Sequence, residues 1–531
     1  MADESERSPK DPFRLPEAAG AAARMGRAGG QLFWTVETTA GRVQGIANGD
    51  IKQFKGVPYG ASTAGSNRYM PPQKRAAWSG VRDCFGYGQV SPQVPMDLAY
   101  EYSMLINWDA HVGPGGMGED CLNLNIWTPG VSDGAGRAVL VAFHGGGWTT
   151  GSGNAPMYDG AQLARAGNVV VVTVNHRLGA LGYLALAEVG GPEFASGGVC
   201  GVLDMVAALE WVRDNIGRFG GDPDRVTIFG QSGGGSKVST LMGAPAAVKL
   251  FHRAVAQSPP PVGAWTRDEG AGQAERLLLR LGLGNDRAVD IRKRSWQEIL
   301  EAQAAVGDFR PVVDGQVLPE APFASSAPAV SGAIPMIVGT TLHDRSNFFE
   351  NFDVDDAGVV AVFRQTWGDR AEAILAAYRQ ESPDEPAFLI QGKAYTDLTR
   401  GVTLLQAHRK AALGAAPVYL YEWDWVSDAY DRRYGAFHAE DLDASFGLYR
   451  SPACGSGHAE GRLMVDRMVA SLVAFAKTGD PNNALIPAWP AYDGQRRATL
   501  VFDNAMRVVD NHRGDMVRTV AEPTTAPPAP Q

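Results

Sequence analysis

Short apolar runs recur along the chain, and most are continuous rather than alternating. Ala138–Phe143, Val169–Val174, Val226–Phe229, Arg253–Ala256, Pro335–Val338 and Val418–Trp423 each read as a strand buried on both faces. Between them, apolar residues return every three or four positions. That spacing predicts helices over 202–219, 236–242, 271–281, 296–305, 370–379, 399–413 and 461–477. In the first, Val202, Met205, Val206, Leu209, Val212 and Ile216 share a face, and Gly220-Gly221-Asp222-Pro223 ends it. The alternation predicts an α/β fold with a mostly parallel central sheet covered by helices on both faces. In such sheets the functional groups gather at the carboxyl ends of the strands.

One of these strand ends carries an unusual sequence. Val226–Phe229 runs directly into Gly230-Gln231-Ser232-Gly233-Gly234, and a helix follows. Glycine two before and two after the serine lets strand and helix approach without Cβ clashes, which holds the serine strained with its hydroxyl exposed. In a glycine-rich chain the pattern alone arises by chance on the order of 0.4 times. The strand–turn–helix context makes Ser232 a candidate nucleophile, and a nucleophilic serine needs a base, an orienting acid and an oxyanion site.

Other strand ends supply candidates for each. Strand 138–143 ends in His144-Gly145-Gly146-Gly147-Trp148, where consecutive glycines can turn successive N–H groups toward one point. Gly146, Gly147 and, from the elbow, Gly233 are the candidate oxyanion donors, and Trp148 either walls an acyl pocket or simply packs. Asp344 lies just past strand 335–338 and is preferred as the acid over Glu350 and Asp353. His438, shortly after strand 418–423, is the expected base, with His458 in a Ser/Gly loop as the alternative. The chain order Ser…Asp…His is the order α/β-hydrolases use.

Composition narrows the context. A net charge of −10 argues against nucleic acid or an anionic membrane surface as partner. Four cysteines in 531 residues make no disulfide scaffold. Residues 1–31 show no secretory signal and no stretch approaches 18 uninterrupted apolar residues, so a cytoplasmic protein without a membrane span is expected. Residues 1–31 and the Pro/Ala/Thr-rich 516–531 read as disordered tails around a single catalytic domain over 32–515.

Further segments give the chain a family likeness. Phe54-Lys55-Gly56-Val57-Pro58-Tyr59-Gly60, Arg68-Tyr69-Met70-Pro71-Pro72, Glu119-Asp120-Cys121-Leu122-Asn123-Leu124-Asn125, Asn175-His176-Arg177-Leu178-Gly179 and Phe475-Ala476-Lys477-Thr478-Gly479-Asp480-Pro481-Asn482 are similar to segments of type-B carboxylesterases. The chain resembles that esterase, lipase and cholinesterase group, bacterial para-nitrobenzyl esterases included, over roughly residues 33–510. The resemblance implies an α/β-hydrolase fold and a serine hydrolase that cleaves carboxylic esters through an acyl-enzyme. It places the triad on Ser232, Asp344 and His438 and the oxyanion donors on Gly146, Gly147 and Gly233. It implies neither cofactor nor metal, a small-molecule ester as partner, and buried ion pairs Arg68–Glu119 and Arg177–Asp204. Oligomeric state stays open between monomer and homodimer. An amidase, a carbamate or xenobiotic-ester hydrolase, and a binding protein that has lost catalysis remain alternatives on the same fold. Three departures stand out: Gln231 and Gly233 where the family favours Glu and Ala, and Ser91 where it often has the cysteine that bridges to Cys121. Whether Cys84 substitutes in that bridge is open.

Overall fold

The computed structural model describes residues 31–94, 101, 103, 112, 115–260 and 263–521, and its strands join into one sheet. They are β1 (Phe33–Glu37), β2 (Arg42–Asn48), β3 (Ile51–Pro58), β4 (Val81–Asp83), β5 (Asn123–Thr128), β6 (Arg137–Phe143), β7 (Val170–Val174), β8 (Gly221–Gln231), β9 (Arg253–Gln257), β10 (Met336–Thr341), β11 (Val418–Trp423), β12 (Thr499–Phe502) and β13 (Arg507–Val509). The main order is β1-β2-β3-β5-β7-β6-β8-β9-β10-β11-β12-β13, with β4 beside β2. From β7 through β12 every pairing is parallel, and antiparallel strands extend the sheet at both sides. This is the α/β-hydrolase architecture.

All six predicted strands lie in the parallel centre. The sequence pattern missed the antiparallel flank, because β1 and β2 expose alternate residues and carry no continuous apolar run. It also shortened the helix Ala387–Ala412 to its second half. The first half buries Gln391, Lys393, Thr396 and Asp397, so polar residues occupy its inner face and hide the periodicity. Helix Asp356–Trp367 was not expected at all.

The chain end differs from expectation too. Helix Gly514–Ala521 continues six residues past 515, with Val517 and Val520 buried and the Val520 carbonyl accepting from the Trp367 indole at 2.9 Å. Two apolar residues three apart anchor it, a signal too short to read beside the Pro-rich end. The remainder of both expected tails, residues 1–30 and 522–531, lies outside the described residues.

Segment Pro192–Phe219 is long and apolar enough to cross a membrane, but 72% of its apolar window is buried inside the protein, as in a core helix. Both expected ion pairs form: Arg68–Glu119 at 2.5 Å and Arg177–Asp204 at 2.6 Å. Cys84, Cys121, Cys200 and Cys454 are all buried and unbridged. Ser91, at the family's cysteine position, instead accepts a hydrogen bond from the Leu178 N–H at 3.1 Å.

Candidate active site

β8 reaches Gln231 and the helix Gly233–Met242 begins two residues later, leaving Ser232 alone at the turn. Its φ of 57° and ψ of −127° are strained for a residue with a Cβ. Flanking glycines make the turn possible. A Cβ at Gly230 would stand 2.6 Å from the Phe143 carbonyl oxygen, and one at Gly234 2.1 Å from the same atom. The Ser232 N–H is tied back to the Gln257 carbonyl of β9 at 2.9 Å.

The candidate acid and base are brought together by an extension of the sheet beyond β10 and β11. His343 N–H donates to the Ala436 carbonyl at 2.9 Å, and Ala436 N–H returns to His343 Nδ1 at 3.1 Å. This clamp sets Asp344 beside His438, whose Nδ1 lies 2.8 Å from Asp344 Oδ1. The hydroxyls of Ser258 and Thr341 donate to that same oxygen at 2.6 and 3.1 Å. Burial pushes the Asp344 carboxyl up, but the His438 ring, Arg345 and the Ser258 hydroxyl hold it below the ordinary carboxylate value. His343 itself is fixed by Glu385, whose carboxyl is pulled down to about 2, against its burial, by His343 and Lys393.

His458 has a different place. Its Nδ1 accepts from the Gly461 N–H at 3.0 Å and caps helix Ala459–Thr478. His144 and His176 stack with ring centroids 4.9 Å apart behind the glycine turn.

In that turn Gly146 and Gly147 take φ of 85° and 59°, a region glycine reaches freely. Gly145 N–H is occupied, donating to the Tyr158 hydroxyl at 2.7 Å. Ser232, His438, Asp344, Gly146 and Gly147 all line one cavity of about 640 Å³. Met157, Pro259, Phe348 and Leu442 give it an apolar wall, with Thr149 and Arg345 among the polar groups. Trp148 does not line this cavity; it packs edge-on against Tyr183 with centroids 5.2 Å apart, so packing is its role.

Gly233 contacts the turn most closely. A Cβ there would sit 2.4 Å from the Gly147 nitrogen and 2.5 Å from its oxygen. The alanine common in the family therefore does not fit unless the turn moves. Gly233→Ala is expected to lower kcat about 10-fold or more while the protein stays folded, because displacing a candidate oxyanion donor would lose part of a contribution worth ~10²–10³. Steady-state kinetics beside thermal unfolding check this; unchanged kcat would show the turn moves freely.

The sequence marked Gln231 as a departure without showing what it meets, and it missed Ser258 and the acids after His438. Gln231 Nε2 lies 3.1 Å from His438 Nε2 and 3.2 Å from Nδ1, so its amide is almost equally close to both ring nitrogens. Ser258 lies just past β9, where the strand-end rule would have found it. After His438, helix Glu440–Ser445 buries three acids. Burial pushes Asp441 up to about 6 and Asp443 up to about 7. An acid with a raised folded pKa is neutral in the folded protein while the unfolded chain already ionises, so stability falls as pH rises from about 4 to 7. Asp443→Asn is expected to raise the unfolding free energy more at pH 8 than at pH 4, by on the order of a few kcal/mol. An equal shift at both values would contradict the burial effect.

The carboxylesterase family profile matches residues 34–519. The chain belongs to the carboxylesterase family. This carboxylesterase is 31% identical to the para-nitrobenzyl esterase of Bacillus subtilis (strain 168), over 89% of its own length and 95% of the relative's. It is 32% identical to the phenmedipham hydrolase of Pseudarthrobacter oxydans, over 92% and 97%. Among solved structures it superposes on a Geobacillus stearothermophilus carboxylesterase with a TM-score of 0.78 and 32% identity, covering 91% of this chain and 99% of that one. A Clostridium hathewayi esterase gives 0.80 and 30%, covering 92% and 99%. The carboxylesterase is a carboxylic ester hydrolase, and its candidate site lies where α/β sheets carry function, at the carboxyl ends of the central strands.

Proposed function

We propose that the enzyme cleaves esters through an acyl-enzyme on Ser232. His438 takes the Ser232 proton as the hydroxyl oxygen attacks the ester carbonyl, and Asp344 holds the imidazole in the tautomer with its proton on Nδ1. The tetrahedral oxygen is received by the N–H groups of Gly146, Gly147 and Gly233. His438 returns the proton to the leaving alcohol, and a water activated by the same base releases the acid. The observation that carries this reading is the 2.8 Å contact between His438 Nδ1 and Asp344 Oδ1 at the cavity that also holds strained Ser232 and the glycine turn. Four buried, unbridged thiols suit a reducing, cytoplasmic setting.

A fluorophosphonate probe is expected to label Ser232 alone, seen as a mass increment on its peptide, and to abolish hydrolysis. Labelling elsewhere with activity lost would overturn the assignment. The relatives' names point to different substrates, a para-nitrobenzyl ester and phenmedipham. A panel of p-nitrophenyl esters of increasing acyl length, with one amide and one carbamate, defines the acyl preference and is expected to favour the esters.

A further inference from the structure

Lys237 is an unusual residue for its place. It lies five residues after Ser232, in a helix whose every residue is buried, and is itself wholly shielded from solvent. No carboxylate pairs with it among the described residues. Burial alone pushes its amine well below the ordinary lysine value. A methionine would fill the same volume without desolvating an amine, so packing does not account for a lysine here.

Its hydrogen bond is specific. Nζ donates to the His144 carbonyl at 2.7 Å. The same peptide unit is gripped at its other end, where the Gly145 N–H donates to the Tyr158 hydroxyl at 2.7 Å. The His144–Gly145 peptide is therefore held at both poles, immediately before the two glycines whose φ values are positive. Fixing that plane sets the direction of the N–H groups that follow. The bond is available to the amine whether it is charged or neutral, since both forms donate. Trp148 lies over the amine at 5.9 Å and walls its far side.

We propose that Lys237 is a positioning residue of the oxyanion site: by holding the His144 carbonyl it orients the His144–Gly145 peptide and so aims the Gly146 and Gly147 N–H groups at the substrate's carbonyl oxygen. The proposal rests on the acyl-enzyme reading above. Lys237 touches no substrate, and its effect appears only where negative charge develops on that oxygen.

The test is Lys237→Met, assayed with p-nitrophenyl acetate, with an alkyl trifluoromethyl ketone and with the corresponding non-fluorinated ketone. The fluorinated ketone accepts the Ser232 oxygen to form a hemiketal oxyanion, its proton passing to His438; the plain ketone reports ground-state binding. The expected result is a kcat lower by about 10–100-fold with KM within about threefold, since a misaligned donor loses part of the ~10²–10³ of a full one. Affinity for the trifluoromethyl ketone should fall by the same factor, and affinity for the plain ketone should hold. Wild-type kcat in folded Lys237→Met overturns the proposal, as does a lost kcat with trifluoromethyl ketone affinity unchanged or with both ketones weakened equally. Where Lys237→Met does not fold, the same ratios are read on Lys237→Gln, whose amide is one atom shorter and leaves the carbonyl less tightly held. Failure of the underlying reading looks different, because Ser232→Ala would then remain active.

Discussion

Ser232→Ala is expected to lower kcat for p-nitrophenyl acetate by ~10⁴-fold or more while the protein unfolds at an unchanged temperature. Alanine keeps the Ser232 Cβ and removes only the hydroxyl, and the reaction proposed for that hydroxyl has no substitute nucleophile. His438→Ala should cost a similar factor and His458→Ala little activity, because His458 caps a helix and His438 meets Asp344. Loss of that cap would show instead as about 1 kcal/mol of stability. Two outcomes would sink the assignment: residual activity in Ser232→Ala close to wild type, or an inactive, folded His458→Ala beside an active His438→Ala.

The largest effect on stability is expected from Arg177→Met. Arg177 and Asp204 are both wholly buried, and three hydrogen bonds join them: Nε to Oδ2 at 2.7 Å, one terminal nitrogen to Oδ1 at 2.6 Å, and the Arg177 N–H to Oδ2 at 3.0 Å. The other terminal nitrogen reaches the Met70 carbonyl at 2.8 Å. Burial works against the guanidinium charge and Asp204 more than offsets it, so Arg177 stays cationic. Removing the arginine alone strands a carboxylate in the interior, at a cost of ~3–5 kcal/mol. Arg177→Met combined with Asp204→Leu should recover much of that loss, since no charge is then buried. Urea unfolding of the two single variants and the double gives the coupling directly. A loss below about 1 kcal/mol in Arg177→Met would mean that water or another group reaches Asp204.

The proposed nucleophile and acid were legible because Ser232 and Asp344 sit just past β8 and β10, and strands buried on both faces leave continuous apolar runs; His438 lies further along, beyond β11 and Ala429–Arg432. The same rule explains what stayed hidden. Gln231 was visible as a departure from the family, but its approach to His438 joins residues 207 positions apart. Lys237 looked like one polar residue in a short helix. His343 lay beside the acid, yet only its pairing with Ala436 shows what it fixes.

Local sequence by itself determined the elbow, the glycine turn, the central strands and the order of the proposed catalytic residues. These depend on backbone freedom and apolar periodicity, which neighbouring residues specify. Tertiary structure alone decided which histidine meets the acid, which hydroxyls crowd the Asp344 carboxylate, and that Gly233 is held against Gly147. It also decided that a buried lysine grips the glycine turn. Those outcomes are set by distances between strands far apart in sequence, and no local pattern encodes them.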